Sequence, residues 1–574
     1  MANSITRRSA LAAGLAAGAA SCSSPPKMTA YSASDAAPGG AFAYGVASGD
    51  PDATSVVIWS HLTHPDENAT AAQVQWECAD DPDFTQIRAS GDITTGRAWD
   101  WTVKTLVNDL APGGVYYYRF RFGDALSPVG RTRTLPDGEI DAARFAIVSC
   151  SNYPFGFFNV YDLISRRDDL DAVIHLGDYI YEYGPEDYGG SMGAKLGRNH
   201  NPPYEIITLS DYRKRHAQYK SDPSSQAMLA RHPLIAIWDD HETTNNSWKD
   251  GAENHQPETE GDWTARRRAA LQAYYEWMPI REPERGPEHL FKTYNYGNLL
   301  SLSAIETRLM ARTKQLEFDE VVASISGPED VARFKEEVLW DESRELLGAA
   351  QIEYLDRAFR SSVAAGHPWR LIANQVIMAS MTMPDLNPHI TEEELVALEA
   401  DWPPARAFVE ASALPLPASF DAWDGYPAAR ERFYDMVKET RADGMIVVTG
   451  DTHTWWANDL ADAAGTPMGV ELGTHSVTSP SPYAPSFLGG KGNDYALLNN
   501  QENEAVRFLS GEFHGYISLT ITQEKARAEF TAVDNIESRD YKAFVHAAFD
   551  IKRKNGVSRF SNADGLSFRE GWLF

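Results

Sequence analysis

Five apolar segments between residues 145 and 449 each end in polar residues of the types that bind metal ions. An uninterrupted apolar run of this length is typical of a strand that is buried on both faces of a parallel sheet. The carboxyl ends of such strands meet at one edge, where α/β proteins bind their ligands. The segments and the residues that follow them are Phe145 to Val148 with Cys150, Ala172 to Leu176 with Asp178, Leu234 to Trp238 with Asp240, Trp369 to Ala373 with Asn374, and Met445 to Thr449 with Asp451 and His453. The sequence therefore predicts an α/β domain with a metal site at one sheet edge.

The domain organisation follows from a change of pattern near Pro136. Residues 41–136 contain short alternating runs separated by turn residues, which predict a small antiparallel β-sandwich of the fibronectin or immunoglobulin type. Residues 137–574 are predicted to form the α/β domain, and residues 25–40 have the composition of a linker. The spacing of apolar residues predicts that helices cover the sheet at Trp263 to Trp277, Asp330 to Glu345, Ala349 to Ala364 and Tyr426 to Ala442.

The N-terminus has the features of a twin-arginine export signal over residues 1–24. Arg7 and Arg8 precede an Ala-rich apolar run that ends at Ala20 and is shorter than the roughly 20 residues that span a bilayer. The segment ending at Cys22 resembles a lipoprotein cleavage box, so a lipid anchor at Cys22 stays open. No later segment is apolar enough to cross a membrane. We therefore expect a periplasmic or secreted protein that uses the twin-arginine export machinery and has no transmembrane segment.

The net charge restricts the partners of the chain. With 52 Lys and Arg against 81 Asp and Glu, the formal charge is −29 over 574 residues. Binding to a nucleic-acid duplex needs clustered basic side chains that release counterions, so no duplex partner is expected. A small phosphate ester is still compatible with this charge, because metal ions and Arg residues act on it at close range.

The segment from Gly177 to Tyr181 has the form of a two-metal ligand turn. Gly177 allows a sharp turn, Asp178 has two oxygens that can bridge two ions, and Tyr181 can offer a phenolate. A phenolate together with the thiolate of Cys150 favours trivalent iron over magnesium or calcium. The alternatives are an ordinary turn at Gly177 and a disulfide between Cys150 and Cys78.

Two further polar clusters follow apolar strands. Asp240 and His241 belong to an Asp-Asp-His-Glu run, for which capping of a following helix is the alternative. Asp451 and His453 lie two positions apart, so an extended backbone directs both side chains the same way. Arg308 and Arg312 are candidates for a phosphate clamp, although a solvated surface position is the favoured interpretation for both.

The sequence resembles the PhoD-like alkaline phosphatases, a branch of the calcineurin-like metallophosphoesterases. The resemblance extends over almost the whole mature chain, and the family often has Asp where this chain has Glu306. It implies a four-layer α/β metallophosphoesterase sandwich after the small all-β domain. The motifs that carry it are Gly45 to Pro51, Ser149-Cys150, Gly177 to Tyr183, Trp238 to Glu242, Asn374-Gln375 and Gly450 to His453.

The resemblance also implies the cofactors and the roles of the site residues. One Fe3+ would take Cys150, Tyr181 and His453, and Asp178 would bridge it to a second ion. The second ion would be Ca2+, of which the site would hold one or two. It would take Asp240, Asn374 and Asp451 besides Asp178. Asp178 and His241 are the catalytic residues in this scheme, with His241 contacting the phosphate and assisting the leaving group.

The predicted function is therefore hydrolysis of phosphate monoesters or diesters, in which a metal-activated hydroxide attacks phosphorus in line. The same site acting as a phospholipase D or a phosphotriesterase is the near alternative. A non-catalytic binding or adhesion protein is the remote one. The loops 184–208 and 380–418 are expected to shape the pocket and so to select among substrates.

Overall fold

The computed structural model describes residues 40–561. The predicted signal, the linker up to residue 39 and Cys22 lie outside these residues. The strands, in chain order, are β1 Val46–Gly49, β2 Val56–His61, β3 Ala71–Ala79, β4 Ile87–Gly96, β5 Thr102–Val107, β6 Val115–Phe122, β7 Ala125–Leu126, β8 Gly130–Arg133, β9 Ala142–Val148, β10 Ala172–His175, β11 Pro233–Ala236, β12 Ser247–Trp248, β13 Gly251–Ala252, β14 Lys292–Tyr296, β15 Leu300–Ala304, β16 Trp369–Ala373, β17 Met445–Thr449, β18 Trp455–Ala461, β19 Pro467–Gly473, β20 Val506–Ser510, β21 Gly515–Thr522, β22 Lys525–Val533, β23 Ala543–Lys554 and β24 Val557–Phe560.

The α-helices of the described residues connect and cover these strands. They are α1 Asn159–Ser165, α2 Gly190–Leu196, α3 Leu209–Lys220, α4 Pro223–Arg231, α5 Pro257–Glu260, α6 Trp263–Trp277, α7 Phe318–Ser324, α8 Pro328–Phe334, α9 Gly348–Ala364, α10 Glu392–Asp401, α11 Ala405–Ala411, α12 Pro427–Thr440, α13 Phe487–Gly490 and α14 Gly492–Glu502. None of them is long and apolar enough to cross a bilayer.

Two large sheets pack face to face. The ten-stranded sheet has the order β24-β23-β22-β21-β9-β10-β11-β1-β2-β5, and the seven-stranded sheet has the order β14-β15-β16-β17-β19-β18-β20. Strands β9, β10 and β11 run parallel in the first sheet, and β15, β16 and β17 run parallel in the second. The five strands predicted from apolar segments thus lie at the parallel centres of the two sheets.

Helices form the two outer layers, which confirms the four-layer architecture. Along β9, Phe145 and Ile147 belong to the core between the sheets, whereas Ala146 and Val148 belong to the core beneath α1, α3, α4 and α6. Helices α9 and α12 cover the second sheet in the same way. Because β9, β11 and β17 contact apolar side chains on both faces, their apolar residues do not alternate with polar ones, whereas β15 alternates Leu and Ser.

The N-terminal part is all-β, as predicted, but its two sheets are not both separate from the α/β part. Strands β3, β4, β6, β7 and β8 form their own five-stranded sheet. The remaining strands, β1, β2 and β5, extend the ten-stranded sheet, because β1 pairs in parallel with β11 through Ser48 and Gly49. Asp50, directly after β1, ion-pairs with Arg281 and Lys292 of the α/β part. The division at residue 136 stays a prediction.

One predicted helix is wrong in extent. Instead of running from Asp330 to Glu345, the chain forms α8, then a π-helical turn over Lys335–Leu339, and leaves the helix at Trp340. The Asp341 side chain then accepts a hydrogen bond from the Ser343 backbone N–H at 2.8 Å. Such local Asp bonds compete with helical hydrogen bonds and are typical of turns.

Candidate metal centre and active site

The predicted ligand residues converge at the carboxyl ends of the central strands. Ligand atoms of Cys150, Asp178 and His453 lie within 4.8 Å of one another, and so do those of Asp178, Asp240 and His241. A third such group contains Asp239, Asp240 and Asp451. Asp178 and Asp240 each belong to two of the groups. The three groups therefore form one continuous cluster with Asp178 and Asp240 at its centre.

The backbone of the ligand turns is held in unusual conformations. Cys150, Asp178, Asp451 and His453 have φ between 52° and 61°, in the left-handed region that side chains other than Gly rarely adopt. Gly177 has φ 108°, and a Cβ there would lie 2.4 Å from the backbone nitrogen of Asp239. The absence of a side chain at Gly177 thus brings the β10 and β11 turns together.

Tyr181 lies between the Asp178 carboxylate and His453. Its hydroxyl donates to Asp178 Oδ2 at 3.0 Å and is 3.2 Å from His453 Nε2. His453 Nδ1 is 2.9 Å from the Pro480 carbonyl, which directs Nε2 toward the cluster. Ser479 donates to the Tyr181 oxygen at 2.8 Å. The soft and phenolic donors Cys150, Tyr181 and His453 are therefore on one side of Asp178.

The oxygen donors are on the other side. Asp240 accepts a hydrogen bond from the Asn246 backbone N–H at 2.7 Å, and Asp451 follows β17. Asn374 follows β16, next to β17 in the sheet, and its Oδ1 accepts a bond from Trp423 Nε1 at 3.3 Å. The structure thus places Asn374 at the same edge, and its role as a ligand stays a prediction.

The donor set fits bound cations. Asp240 Oδ1 and Asp239 Oδ2 are buried and accept no hydrogen bond within residues 40–561, although Arg308 Nη2 lies 3.8 Å from Asp240 Oδ1. A buried carboxylate oxygen without a partner carries a large desolvation cost, which an adjacent cation offsets. Cys150 and Cys78 are both free thiols, which excludes the disulfide alternative.

The pKa values of the cluster support the same conclusion. Burial raises the pKa of Asp178 well above its usual value, and Asp240 and Asp239 raise it further. Burial, and then Asp178, also raises the pKa values of Cys150 and Tyr181. The pKa of Asp451 is raised to about 7 by burial and next by Asp421. These four groups release their protons readily only where positive charge is added. Although burial acts to raise the pKa of Asp240, the charges of Arg308 and His241 outweigh that effect, and this pKa is instead lowered.

The favoured interpretation of Arg308 and Arg312 as solvated surface residues is wrong. Both side chains are 0 % exposed. Arg308 contacts Asp239 and donates to Asp421 at 2.8 Å and to Asp451 at 3.2 Å. Arg312 contacts Asp421, but its Nε and Nη1 have no hydrogen-bond partner in the described part of the chain. Arg308 is thus paired with the buried Asp239 and the partly exposed Asp421 and Asp451, whereas Arg312 pairs with Asp421 and lies over the Tyr426 ring.

Sequence reasoning missed the carboxylates that hold the ligand turns. Glu182 Oε2 is 2.7 Å from His241 Nδ1, and Glu182 also accepts bonds from Thr244, Asn245 and Asn254. Although burial lowers the pKa of His241, the carboxylates Asp240, Glu182 and Asp178 raise it well above its usual value. Glu182 lies in the motif from Gly177 to Tyr183, and Glu242 ends the motif that begins at Trp238. Their position beside predicted ligand residues is the sequence signal that could have identified them.

Glu242 acts on the backbone rather than on a side chain. It accepts hydrogen bonds from the backbone N–H groups of Asp178 at 3.0 Å and Asp239 at 2.8 Å. It also accepts one from Tyr179 at 2.5 Å. Glu306 has a similar role after β15, where it accepts bonds from Trp238 Nε1 and the Arg308 backbone. These two glutamates fix turns, which explains why the longer side chain at Glu306 is compatible with the site.

Comparison with known proteins identifies this arrangement. A sequence model described as PhoD-like phosphatase matches residues 145–530, and one for the PhoD-like phosphatase N-terminal domain matches residues 28–136. The chain belongs to the PhoD-like phosphatase family. It is 34 % identical over 539 residues to alkaline phosphatase D of Bacillus subtilis (strain 168), which covers 91 % of this chain and 82 % of that protein.

A solved structure described as PhoD superposes on the model with a TM-score of 0.75 and 31 % identity, covering 93 % of this chain and 95 % of that one. As a PhoD-like phosphatase, the protein is a phosphoric ester hydrolase. Family membership therefore favours the enzyme over the non-catalytic binding protein that the sequence left as a remote alternative.

Proposed function

We propose that this PhoD-like phosphatase hydrolyses phosphate monoesters and diesters by in-line attack of water on phosphorus. The observation that carries the proposal is the cluster in which Asp178 and Asp240 link the Cys150 and His453 side to the Asp451 side. When bound, metal ions in this cluster would supply Lewis-acid activation of water and of the phosphoryl group.

The protein residues have distinct tasks in this proposal. Glu182 holds His241 through Nδ1, which leaves Nε2 to hold the proton that the departing oxygen receives. Arg312, whose Nε and Nη1 have no partner among the described residues, is proposed to bind a phosphate oxygen. Arg308 is proposed instead to position carboxylates, because its donors already contact Asp239, Asp421 and Asp451.

The identity of the metals is also a proposal. Cys150, Tyr181, His453 and the bridging Asp178 would hold one Fe3+, since thiolate and phenolate donors favour it. Asp178, Asp240, Asn374 and Asp451 would hold a harder ion, proposed to be Ca2+, because all of their donors are oxygen atoms. Asp239 Oδ2, which has no hydrogen-bond partner in residues 40–561, lies beside this second position.

Metal analysis with an absorption spectrum tests the iron assignment. The purified enzyme is expected to contain one iron per chain and a visible charge-transfer band from thiolate and phenolate, and Tyr181→Phe should shift or remove that band. A colourless, iron-free and active enzyme would contradict the roles of Cys150 and Tyr181. A panel of mono-, di- and triesters on the same sample measures substrate class, and turnover of triesters alone would favour the phosphotriesterase alternative.

Export is proposed from the N-terminal sequence. Arg7 and Arg8, before the apolar run, support transfer through the twin-arginine route into the periplasm or the medium. Replacing both by Lys should keep the precursor in the cytoplasm, as measured by cell fractionation and immunoblotting. Replacement of Arg97, an arginine on the N-terminal β-domain, is the matched control, and unchanged export of the Arg7 and Arg8 variant would refute the route.

A further inference from the structure

Three aromatic side chains form a row beside His241. We call Phe155, Tyr183 and Tyr188 the aromatic wall. The ring centroids of Phe155 and Tyr188 are 4.8 Å apart, and those of Tyr188 and Tyr183 are 5.6 Å apart. The Tyr183 ring lies 5.5 Å from the His241 ring. All three wall residues are partly exposed.

Tyr188 lies in a turn over residues 184–190 that is held by backbone hydrogen bonds. The Asp187 N–H donates to the Gly184 carbonyl, and the Gly190 N–H donates to the Asp187 carbonyl. Gly190 packs so closely that a Cβ there would lie 1.7 Å from the Pro185 carbonyl oxygen. Gly189 has φ 94°, and a Cβ there would lie 3.0 Å from Cε2 of Phe155. The absence of a side chain at Gly189 therefore lets the Phe155 ring pack closely against the turn. These contacts restrict the turn that carries Tyr188, and a restricted ring loses less entropy on stacking.

The cluster is asymmetric around the metal ligands. On the His241 side, Glu182 holds the His241 ring, and the other neighbours are aromatic: the predicted ligand Tyr181 has its ring centroid 4.2 Å from that of His241, and Tyr183 and Tyr188 follow. On the Asp451 side they are charged: Arg308, Arg312 and Asp421. A substrate that places its phosphate at the cluster would thus have an aromatic surface on one side and a charged surface on the other.

The position of His241 decides which part of the substrate meets the wall. A general acid must lie within hydrogen-bond reach of the oxygen that departs. The group attached to that oxygen then extends past His241. Tyr183 is the partly exposed ring next to His241, and Tyr188 is next to Tyr183. Aromatic faces contribute most when they stack on another π-system, and base stacking on protein rings is tolerant of sequence.

We infer that the aromatic wall is a leaving-group subsite for phosphate esters whose leaving group carries a planar aromatic ring, such as a nucleoside or an aryl alcohol. The inference rests on the proposed ester hydrolysis and on His241 as its acid. A polynucleotide is not the implied substrate, since the formal charge of −29 opposes a polyanion. A single phosphate ester fits both the charge and the three-ring wall.

Two pairs of substrates with matched leaving oxygens test the inference. Adenosine 5′-monophosphate and ribose 5-phosphate differ in the base, and benzyl phosphate and cyclohexylmethyl phosphate differ in the aromaticity of one ring. In each pair the departing alkoxide is nearly equally basic, so the ratio of kcat/KM reports the contact with the ring. The metal-loaded full-length enzyme is expected to favour the aromatic member by about 5- to 100-fold for the nucleotide and by about 3- to 10-fold for benzyl.

Variants then assign the preference to the wall. Tyr188→Leu and Tyr183→Leu, which keep an apolar side chain, are each expected to lower the aromatic-to-saturated ratio by about 3- to 10-fold. Trp99→Leu is the matched control, because Trp99 is 61 % exposed on the N-terminal β-domain and outside the wall. Its ratio should equal that of the wild type.

The outcomes separate this inference from the proposed function. Ratios near one in the unmodified enzyme overturn the subsite without any variant, while hydrolysis of all four esters keeps the proposed function. A preference for the nucleotide without one for benzyl phosphate assigns recognition to base edges and overturns ring stacking. Unchanged ratios in both Leu variants overturn the wall as its origin. Failure to hydrolyse any ester, including 4-nitrophenyl phosphate, is instead a failure of the proposed function.

Discussion

Replacing Asp178 by Asn is expected to abolish ester hydrolysis and metal retention together. Asp178 is the residue shared by the group that contains Cys150 and the group that contains Asp240 and His241. An amide has a single oxygen donor and no charge, so it cannot bridge two cations in the same way. Because Lewis-acid catalysis contributes several kcal/mol, we expect kcat/KM to fall by about 10³-fold or more.

Asp171→Asn is the matched control for this variant. Asp171 precedes β10 at the end opposite to Asp178, is equally a buried carboxylate, and contacts Arg133 and the Arg144 backbone. Loss of its ion pair should lower the melting temperature but leave the metal content unchanged. Elemental analysis and steady-state kinetics on both variants decide the question, and full activity of Asp178→Asn would refute its bridging role.

The positions of the ligand residues after the central strands were predictable, because a strand buried on both faces has a recognisable apolar sequence. In β9, β10, β16 and β17 both faces contact apolar layers, so each strand has a mostly apolar sequence and a polar run follows its end. Cys150, Asp178 and Asp451 follow from that rule. Parallel pairing brings Cys150 close to Asp178 within one sheet and Asn374 close to Asp451 within the other. The prediction of a single sheet edge is wrong, because the cluster also needs the two sheets to pack face to face, and the strand patterns do not predict that packing.

The supporting carboxylates were not predictable in the same way, because their partners are distant in sequence. Asp421 contacts Arg308 and Arg312 across 113 and 109 positions. Glu182 meets His241 across 59 positions, and Glu242 meets the Asp178 backbone across 64. A polar residue in a loop has the same local pattern whether it faces water or a buried arginine. The surface interpretation of Arg308 and Arg312 failed for this reason.

The pairing of β1 with β11, which connects the N-terminal β part to the α/β part, was not predictable from the sequence for a related reason. Strand β1 has four residues, and its parallel pairing with β11 depends on only Ser48 and Gly49 facing Pro233 and Leu234. A Cβ on Gly49 would lie 2.5 Å from the Leu234 carbonyl oxygen, so close approach of the two backbones requires Gly there. The alternating strands of residues 41–136 predict a sandwich, but they do not predict that one sheet continues into the other part.

His241→Asn is expected to slow the enzyme according to the basicity of the leaving group. His241 is held by Glu182 through Nδ1, so Nε2 is the atom placed to protonate the departing oxygen. General-acid catalysis contributes roughly 10²- to 10⁴-fold, and kcat/KM for an alkyl phosphate should fall by about that factor. For 4-nitrophenyl phosphate, whose leaving group departs without a proton, the decrease should be roughly tenfold or less. An equal decrease for both substrates would assign His241 to phosphate binding alone.

A double-mutant cycle with Glu182→Gln separates orientation from other effects of this carboxylate. Glu182 also accepts bonds from Thr244, Asn245 and Asn254, so its loss could disturb the loop that follows Asp240. Outer-shell partners of this type typically contribute about 10- to 100-fold, and Glu182→Gln alone should lower kcat/KM for the alkyl phosphate by that factor. If Glu182 acts through the His241 ring, the same substitution should have almost no effect in the His241→Asn background. Additive losses would show that Glu182 acts mainly by holding the loop, and the metal content of all three variants, measured in parallel, would report that loop directly.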